Sequence, residues 1–399
     1  MLKNTIAFIK TTPVFAVGFL FASASLMLGI WVAALPAIKE RLHFSDSQLG
    51  LSLLLAPLGA LTGVYLSTKL LSKIEVGRWL FAGSILFCFI IIMEVTAQSR
   101  IVFWTALYLH GINGFLNGVS VNAVVDLLEK KYNRRFMASS HAMYSIGGGV
   151  GAGIAAVLFV ININSYYQSL IMAATVILIL LFFRKYLLAH KIIIDSGSSL
   201  QMPSASILGI SFICLVVFMA EGCVADWSAI YLKESLLSSP EIISLGFAGF
   251  SVAMTIGRLN GDELIPKTGS KRIVIAGSLL AAFGFLIVAV SLNTLMAIGG
   301  FVLVGFGCSC IVPVLFSASA NIPGVSAVQG FAMVTTGGLI GFLAGPSLIG
   351  FVSEILSLST GFAFVFLLLL LAAFTGWQNK YLQNKKETIT DVNYTEQFL

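Results

Sequence analysis

Charge is what this 399-residue chain has least of: only 10% of its residues are Asp, Glu, Lys or Arg, where a soluble domain carries roughly 25%. With 58% hydrophobic residues, water cannot be the solvent for most of its surface. Proline is scarce too, at nine, against 38 glycines, many of them inside apolar runs, as in membrane helices that approach one another closely. The five cysteines (Cys88, Cys214, Cys223, Cys308 and Cys310) make neither a disulfide framework nor a CxxC pair. They read as small buried hydrophobes. No HExxH, GxSxG, cofactor motif or cluster of His and carboxylates occurs, which speaks against an enzyme and implies neither cofactor nor metal. The first apolar stretch, 13–36, is longer than a signal h-region and lacks a small-residue cleavage site, so it reads as a retained helix.

What is present is a series of apolar stretches near the 20 residues that cross a bilayer as a helix. Twelve qualify: 13–36, 47–70, 79–98, 101–126, 137–160, 167–187, 205–227, 241–260, 273–291, 294–316, 327–350 and 356–377. The fold class expected is an all-α integral membrane protein held in the lipid bilayer. With the N-terminus inside, nineteen of the twenty-three Lys and Arg fall on the cytoplasmic side, the exceptions being Lys39, Arg41, Arg100 and Lys233. Both termini are therefore expected in the cytoplasm. The net charge of +6 is spread over many short loops of one face, a distribution that excludes nucleic acid as the partner.

The longest polar interruption holds His190, Lys191, Asp195 and Ser196-Gly197-Ser198-Ser199. It divides the chain into a six-helix bundle over 1–187, a cytoplasmic linker over 188–204, a second bundle over 205–377 and a cytoplasmic tail over 378–399. The two halves look duplicated. His141-Ala142-Met143 with Gly147, Gly148 and Gly151 matches Phe331-Ala332-Met333 with Gly337, Gly338 and Gly341 at an offset of 190. Trp31 and Gly50 match Trp227 and Gly246 at an offset of 196. Bundles duplicated in this way place a solute site near the bilayer midplane between the repeats.

With these features the chain resembles the major facilitator superfamily. Gly257-Arg258-Leu259-Asn260-Gly261-Asp262, followed by Gly269-Ser270-Lys271-Arg272, is similar to that family's short cytoplasmic signature and is read as the loop after helix eight. The loop after helix two, 63–78, lacks the expected Asp, and Pro266 stands at the usual Asp position in the second copy. The latch that the family assigns to that Asp is therefore not expected here. More narrowly, the chain resembles the fucose-permease-like branch of bacterial inner-membrane members. That likeness rests on Asn122 with Glu129, on 141–147, on Ala220-Glu221-Gly222 with Asp226-Trp227, and on 254–258. The resemblance implies the bacterial inner membrane, two pseudo-symmetric bundles and alternating access, and a monomer is expected. Helix five lacks the Gly-Pro pair of many drug–proton antiporters, and His110 stands where many proton-coupled members carry arginine. Both weigh against multidrug export.

An ionisable group deep in a bilayer costs at least a few kcal/mol and is a functional hypothesis by default. Glu221, well inside helix seven, is read as the proton-coupling or solute-contacting carboxyl; a neutral carboxyl bonded to a neighbouring helix is the alternative. His110, Asn113 and Asn117, spaced i, i+3, i+7, share one face of helix four. The two amides can both donate to and accept from a hydroxylated solute, and the resemblance sets this helix against the central cavity. His110 reads equally as a proton carrier or a structural hydrogen bonder. Ser25 and Thr336 are further candidates for solute contact, with interhelical bonding as the alternative. Asn122, Asp126 and Glu129, with Arg134, Arg135 and His141 nearby, form a candidate inner gate or else a solvated helix end. Asp226 is a candidate gate at the outer end of helix seven, where Trp227 reads as an interfacial anchor. Glu94 is expected to reach headgroups or a partner.

The expected activity is proton-coupled import of a small polar solute, a sugar or sugar derivative. Sodium is an alternative coupling ion, because backbone carbonyls bind it without leaving a motif. An exporter of drugs or metabolites is the second reading, and a solute sensor without turnover the third.

Overall fold

The computed structural model describes residues 7–134, 136–191, 193, 204, 207–319, 322, 323, 325 and 327–382. Arg135, most of the 188–204 connection and the tail beyond 382 lie outside the described residues. Besides a helical turn at 7–10, the described residues form fifteen helices and no strand. The first seven are α1 (Thr12–Arg41), α2 (Asp46–Leu53), α3 (Leu55–Leu70), α4 (Val76–Thr96), α5 (Arg100–Tyr132), α6 (Met137–Val160) and α7 (Ser165–Leu187). The others are α8 (Leu208–Glu234), α9 (Pro240–Ile243), α10 (Leu245–Thr268), α11 (Ser270–Ala289), α12 (Thr294–Cys308), α13 (Ile311–Ser319), α14 (Ala327–Ile355) and α15 (Leu358–Gln378).

Three of the spans are broken, so α2 with α3, α9 with α10, and α12 with α13 each make one crossing. Proline explains two of the breaks, since it has no N–H for the carbonyl four residues back. Pro57 offers no N–H to the Leu53 carbonyl where α2 ends, and Pro313 offers none to that of Ser309 between α12 and α13. Among the described residues eleven spans are long and apolar enough to cross a membrane, so this is a multi-pass membrane protein. The remaining long helix is α5, whose 33 residues include His110, Asn113, Asn117, Asn122 and Asp126, which dilute its apolar character. One boundary differs from the sequence expectation. The segment 257–268, read from sequence as a loop, is helical, and the turn comes only at Gly269, with φ 92°.

Helix pairing repeats along the chain. The pairs α1 with α6, α3 with α5 and α4 with α7 recur as α8 with α14, α10 with α12 and α11 with α15. Close approach of small residues sets the first pair of each set. A Cβ at Gly151 would stand 2.3 Å from the Leu26 carbonyl oxygen, and one at Gly341 2.2 Å from that of Leu215. Glycines 190 apart thus meet partners 189 apart. The Trp31–Trp227 pairing at 196 does not correspond to this interface. Nor is Gly50 equivalent to Gly246, since Gly50 abuts Pro346 while Gly246 abuts Leu232 and Phe301. A different correspondence holds at the opposite end of these helices. Lys39-Glu40-Arg41-Leu42-His43-Phe44-Ser45 parallels Lys233-Glu234-Ser235-Leu236-Leu237-Ser238-Ser239, an offset of 194. His43 and Leu237 share a left-handed backbone, φ 51° and 50°, and Ser45 and Ser239 each stand at the N-cap of the next helix.

Candidate functional site: a cavity between the two sets of helices

With α5 counted beside those eleven spans, the described residues make twelve passes, which place the start of α1 and the end of α15 at one end of the bundle, the terminal end. The ends of α1 and α8 lie at the far end. Contacts between the two sets run through α6 with α10, α2 with α14, and α1 with α8. Between them lies a cavity of about 850 Å³. Its wall runs from mid-helix positions such as Leu28, His110 and Glu221 to terminal-end positions such as Met137, Ile265 and Phe316. The cavity therefore extends from mid-depth toward the terminal end.

The far end is sealed by charge. Lys39 reaches both Asp46 and Glu234 at 2.5 Å, and Lys233 reaches Glu40 at 2.6 Å. The Lys39–Glu234 and Lys233–Glu40 contacts join the two sets at that end. Asp46 also accepts from Ser353 Oγ, and Ser347 Oγ donates to the Gly50 carbonyl at 3.1 Å. Backbone contact is close there as well: a Cβ at Gly50 would sit 2.6 Å from the Pro346 oxygen, and one at Gly350 2.5 Å from that of Asp46.

Several residues singled out from sequence do face the cavity. His110, Asn117, His141 and Glu221 line it. Glu221 Oε2 lies 3.7 Å from Arg258 Nη2, while Glu221 Oε1 is buried without a hydrogen-bond partner. Arg258 Nη1 donates to Ser145 Oγ across the two sets at 3.1 Å. The sequence signature puts Arg258 in a cytoplasmic loop; the extension of α10 to Thr268 makes it a cavity residue instead. His141 Nε2 lies 3.1 Å from Asn122 Oδ1, and Asn122 Nδ2 donates to the Gly118 carbonyl.

Other candidates stand elsewhere. Asn113 is buried behind the cavity wall and accepts from Asn117 Nδ2 at 2.8 Å. Ser25 donates to the Tyr144 carbonyl and, like Thr336, is buried outside the cavity lining. Asp126 is exposed and pairs with Lys130 at 2.7 Å. Glu129 Oε1 accepts from the backbone N–H groups of Phe136 and Met137, which fastens the α5–α6 turn. Asp226 is half-buried on α8 outside the cavity lining. Trp227 is fully buried rather than interfacial. Glu94 reaches neither headgroups nor a partner. It is 0% exposed, and its Oε1 lies 3.0 Å from His110 Nδ1. The residues missed from sequence were thus Arg258 and the paired Lys-Glu dipeptides; the recurrence of Lys-Glu at the ends of the first and seventh spans was their legible signal.

The family model described as Major Facilitator Superfamily matches residues 15–198 and 206–388. An uncharacterized MFS-type transporter of Yersinia pestis is 35% identical over 360 residues, covering 88% of this chain and 92% of that protein. Membrane protein MosC of Rhizobium meliloti is 27% identical, over 89% of this chain and 87% of its own. Among solved structures, a mutant of the nucleoside transporter NupG superposes with a TM-score of 0.73 at 12% identity, covering 91% of this chain and 98% of its own. A bacterial homolog of the human lysosomal transporter Spinster gives 0.69 at 15% identity, with 92% and 96% covered.

Proposed function

Because this chain belongs to the Major Facilitator Superfamily, we propose that it imports a small polar solute, a sugar or sugar derivative, together with a proton. The bundles over 1–187 and 205–377 rock against one another about the cavity, and the basic terminal end faces the cytoplasm of a bacterial inner membrane. The observation that carries this reading is the cavity itself. It extends toward one end, and cross-bundle ion pairs close the other. A site so placed is reached from one side at a time, as alternating access requires.

Within that reading Glu221 takes the proton. Its unpartnered Oε1 has room for one, and the carboxyl stands beside the solute space. His110 and Asn117 offer hydrogen bonds to the solute from the opposite wall. Asn122 and His141 form a bonded pair toward the terminal end, placed to act as the inner gate.

A second reading has a specific observation behind it. Phe21, Phe87, Phe218, Phe316 and Phe342 also line the cavity, and such walls suit an amphipathic drug or metabolite bound for export. Proteoliposomes with an imposed pH gradient separate the two. Labelled sugars, sugar acids and nucleosides are offered outside, and amphipathic cations are loaded inside. Gradient-driven accumulation of a hydroxylated solute, lost in Glu221→Gln while exchange persists, is the expected result. Accumulation by that variant equal to wild type would remove Glu221 from the coupling role, and proton-driven loss of the cations alone would replace import by export.

A further inference from the structure

Arg258 and Glu221 face each other across a gap that neither closes. A buried ion pair normally repays its desolvation with short, often bidentate hydrogen bonds. Here the nearest N···O separation is 3.7 Å, beyond hydrogen-bond reach. Glu221 Oε1 is buried with no partner. The guanidinium has five donors, and the hydrogen bond it makes among the described residues is to Ser145 Oγ. Both groups line the cavity and are largely buried, with side-chain exposures of 24% and 17%. Buried polar groups left unsatisfied in this way ask for a missing partner.

From this geometry we infer that the solute carries a carboxylate, which Arg258 binds through its free N–H groups in exchange for Glu221. The inference rests on the transporter reading above and narrows its substrate class to organic acids. A planar carboxylate matches the guanidinium fork, whereas a neutral hydroxyl would leave most of its donors empty. Arg258 also ties the two bundles together through Ser145, so its occupancy is felt on both sides of the cavity.

The exchange fixes the proton count. Once the solute holds Arg258, Glu221 loses its cation. Beside it, Tyr144 on α6, Cys214 on α8 and Cys308 on α12 supply no positive charge, and the two imidazoles that share the cavity are engaged elsewhere, His110 with Glu94 and His141 with Asn122. A proton taken by Glu221 restores neutrality, so each carboxylate enters with one proton and the loaded cavity has the net charge of the empty one. The aromatic walls and the polar row on α5 leave two sources for the acid, a sugar acid or an arylalkyl acid, that share this recognition.

Thermal unfolding of the detergent-purified full chain tests the assignment, because a ligand bound only by the folded state raises the midpoint with its occupancy. The probes are matched pairs: glucuronate against glucose, and phenylacetate against phenylacetamide. At least one acid is expected to stabilise the wild type while its neutral partner does not. Which acid does so identifies the source. Arg258→Gln should abolish the shift, and Arg258→Lys, which keeps the charge without the fork, should weaken binding about tenfold or more. The ligand-free midpoint of each variant shows whether it is folded. In weakly buffered solution, binding should take up about one proton in wild type and none in Glu221→Gln. Stabilisation by the neutral members, unchanged in Arg258→Gln, overturns the carboxylate while leaving a polar-solute transporter standing. Stabilisation by amphipathic cations alone overturns both.

Discussion

Lys39 Nζ lies 2.5 Å from Glu234 Oε2 and joins the far end of α1 to that of α8, and Lys233 returns the contact to Glu40 at 2.6 Å. The two contacts are not equal in weight. Glu40 is 76% exposed, so its pair adds little in water. Lys39 is 11% exposed and also neutralises Asp46 at 2.5 Å, so its removal strands a second carboxylate. Lys39→Gln should cost the far-end-closed state about 2 kcal/mol, roughly thirtyfold in population. Spin labels at the exposed positions 43 and 237 report it. Their separation should grow in Lys39→Gln and little in Lys233→Gln, and an unchanged distance in both would show that the seal lies elsewhere.

The two asparagines of α5 should separate in their effects. Asn117 lines the cavity, whereas Asn113 is buried behind it. Asn117→Ala removes the hydrogen bond to buried Asn113, so it should lower stability by about 1 kcal/mol and in addition weaken solute binding about tenfold. Asn113→Ala should lower stability by about 1 kcal/mol and leave affinity nearly intact. Equal losses of affinity would mean that both amides touch the solute.

Glu94 is enclosed, with His110 as its hydrogen-bond partner. Glu94→Ala removes that partner from the imidazole and opens a void, for a loss of about 2–3 kcal/mol. Glu94→Gln keeps the volume and an acceptor for Nδ1–H, so it should retain most of the stability. Differential scanning fluorimetry compares them; an alanine variant as stable as the glutamine one would deny the pair a structural role.

His190, outside the spans, gives a pH dependence. Burial and the nearby Lys131 charge hold its imidazole below the ordinary value of 6.5, and its Nε2 is buried without a partner. The unfolded chain therefore binds this proton more readily than the folded one. Stability from this residue is full above 6.5 and declines as pH falls below it, levelling at the lower folded value. Unfolding midpoints at about pH 7.5 and about pH 5.5 should differ less in His190→Gln than in wild type. Identical differences would remove His190 as a cause.

The spans were legible because hydrocarbon length and backbone satisfaction leave a spanning chain few options. Depth and facing were harder. From His110, Asn117 lies about 20° around the helix and Asn113 about 60°, enough to bring one to the cavity and set the other behind its wall. Arg258 was hidden by the extension of α10 through Pro266 to Thr268, since a Gly-rich stretch with Arg and Asp reads as a loop. Glu94 looked peripheral because sequence position gives height along a helix but not what surrounds it. The repeat offset drifts from 189 to 194 along α1 and α8, which no single alignment by tryptophan could follow.

The reciprocal Lys-Glu contact has a consequence for origin. An interface in which each side offers the same dipeptide is isologous, the kind formed by two copies related by a two-fold axis. A single ancestral half, dimerising with itself, would have closed its far side with these same residues before any fusion. The cavity obeys no such symmetry. Across the offsets of 189 to 194 Glu221 falls among Met27 to Val32, and at 194 Arg258 corresponds to Val64, so neither charge has a counterpart in the first half. Closure is shared between the halves; the charge of the cavity belongs to one of them.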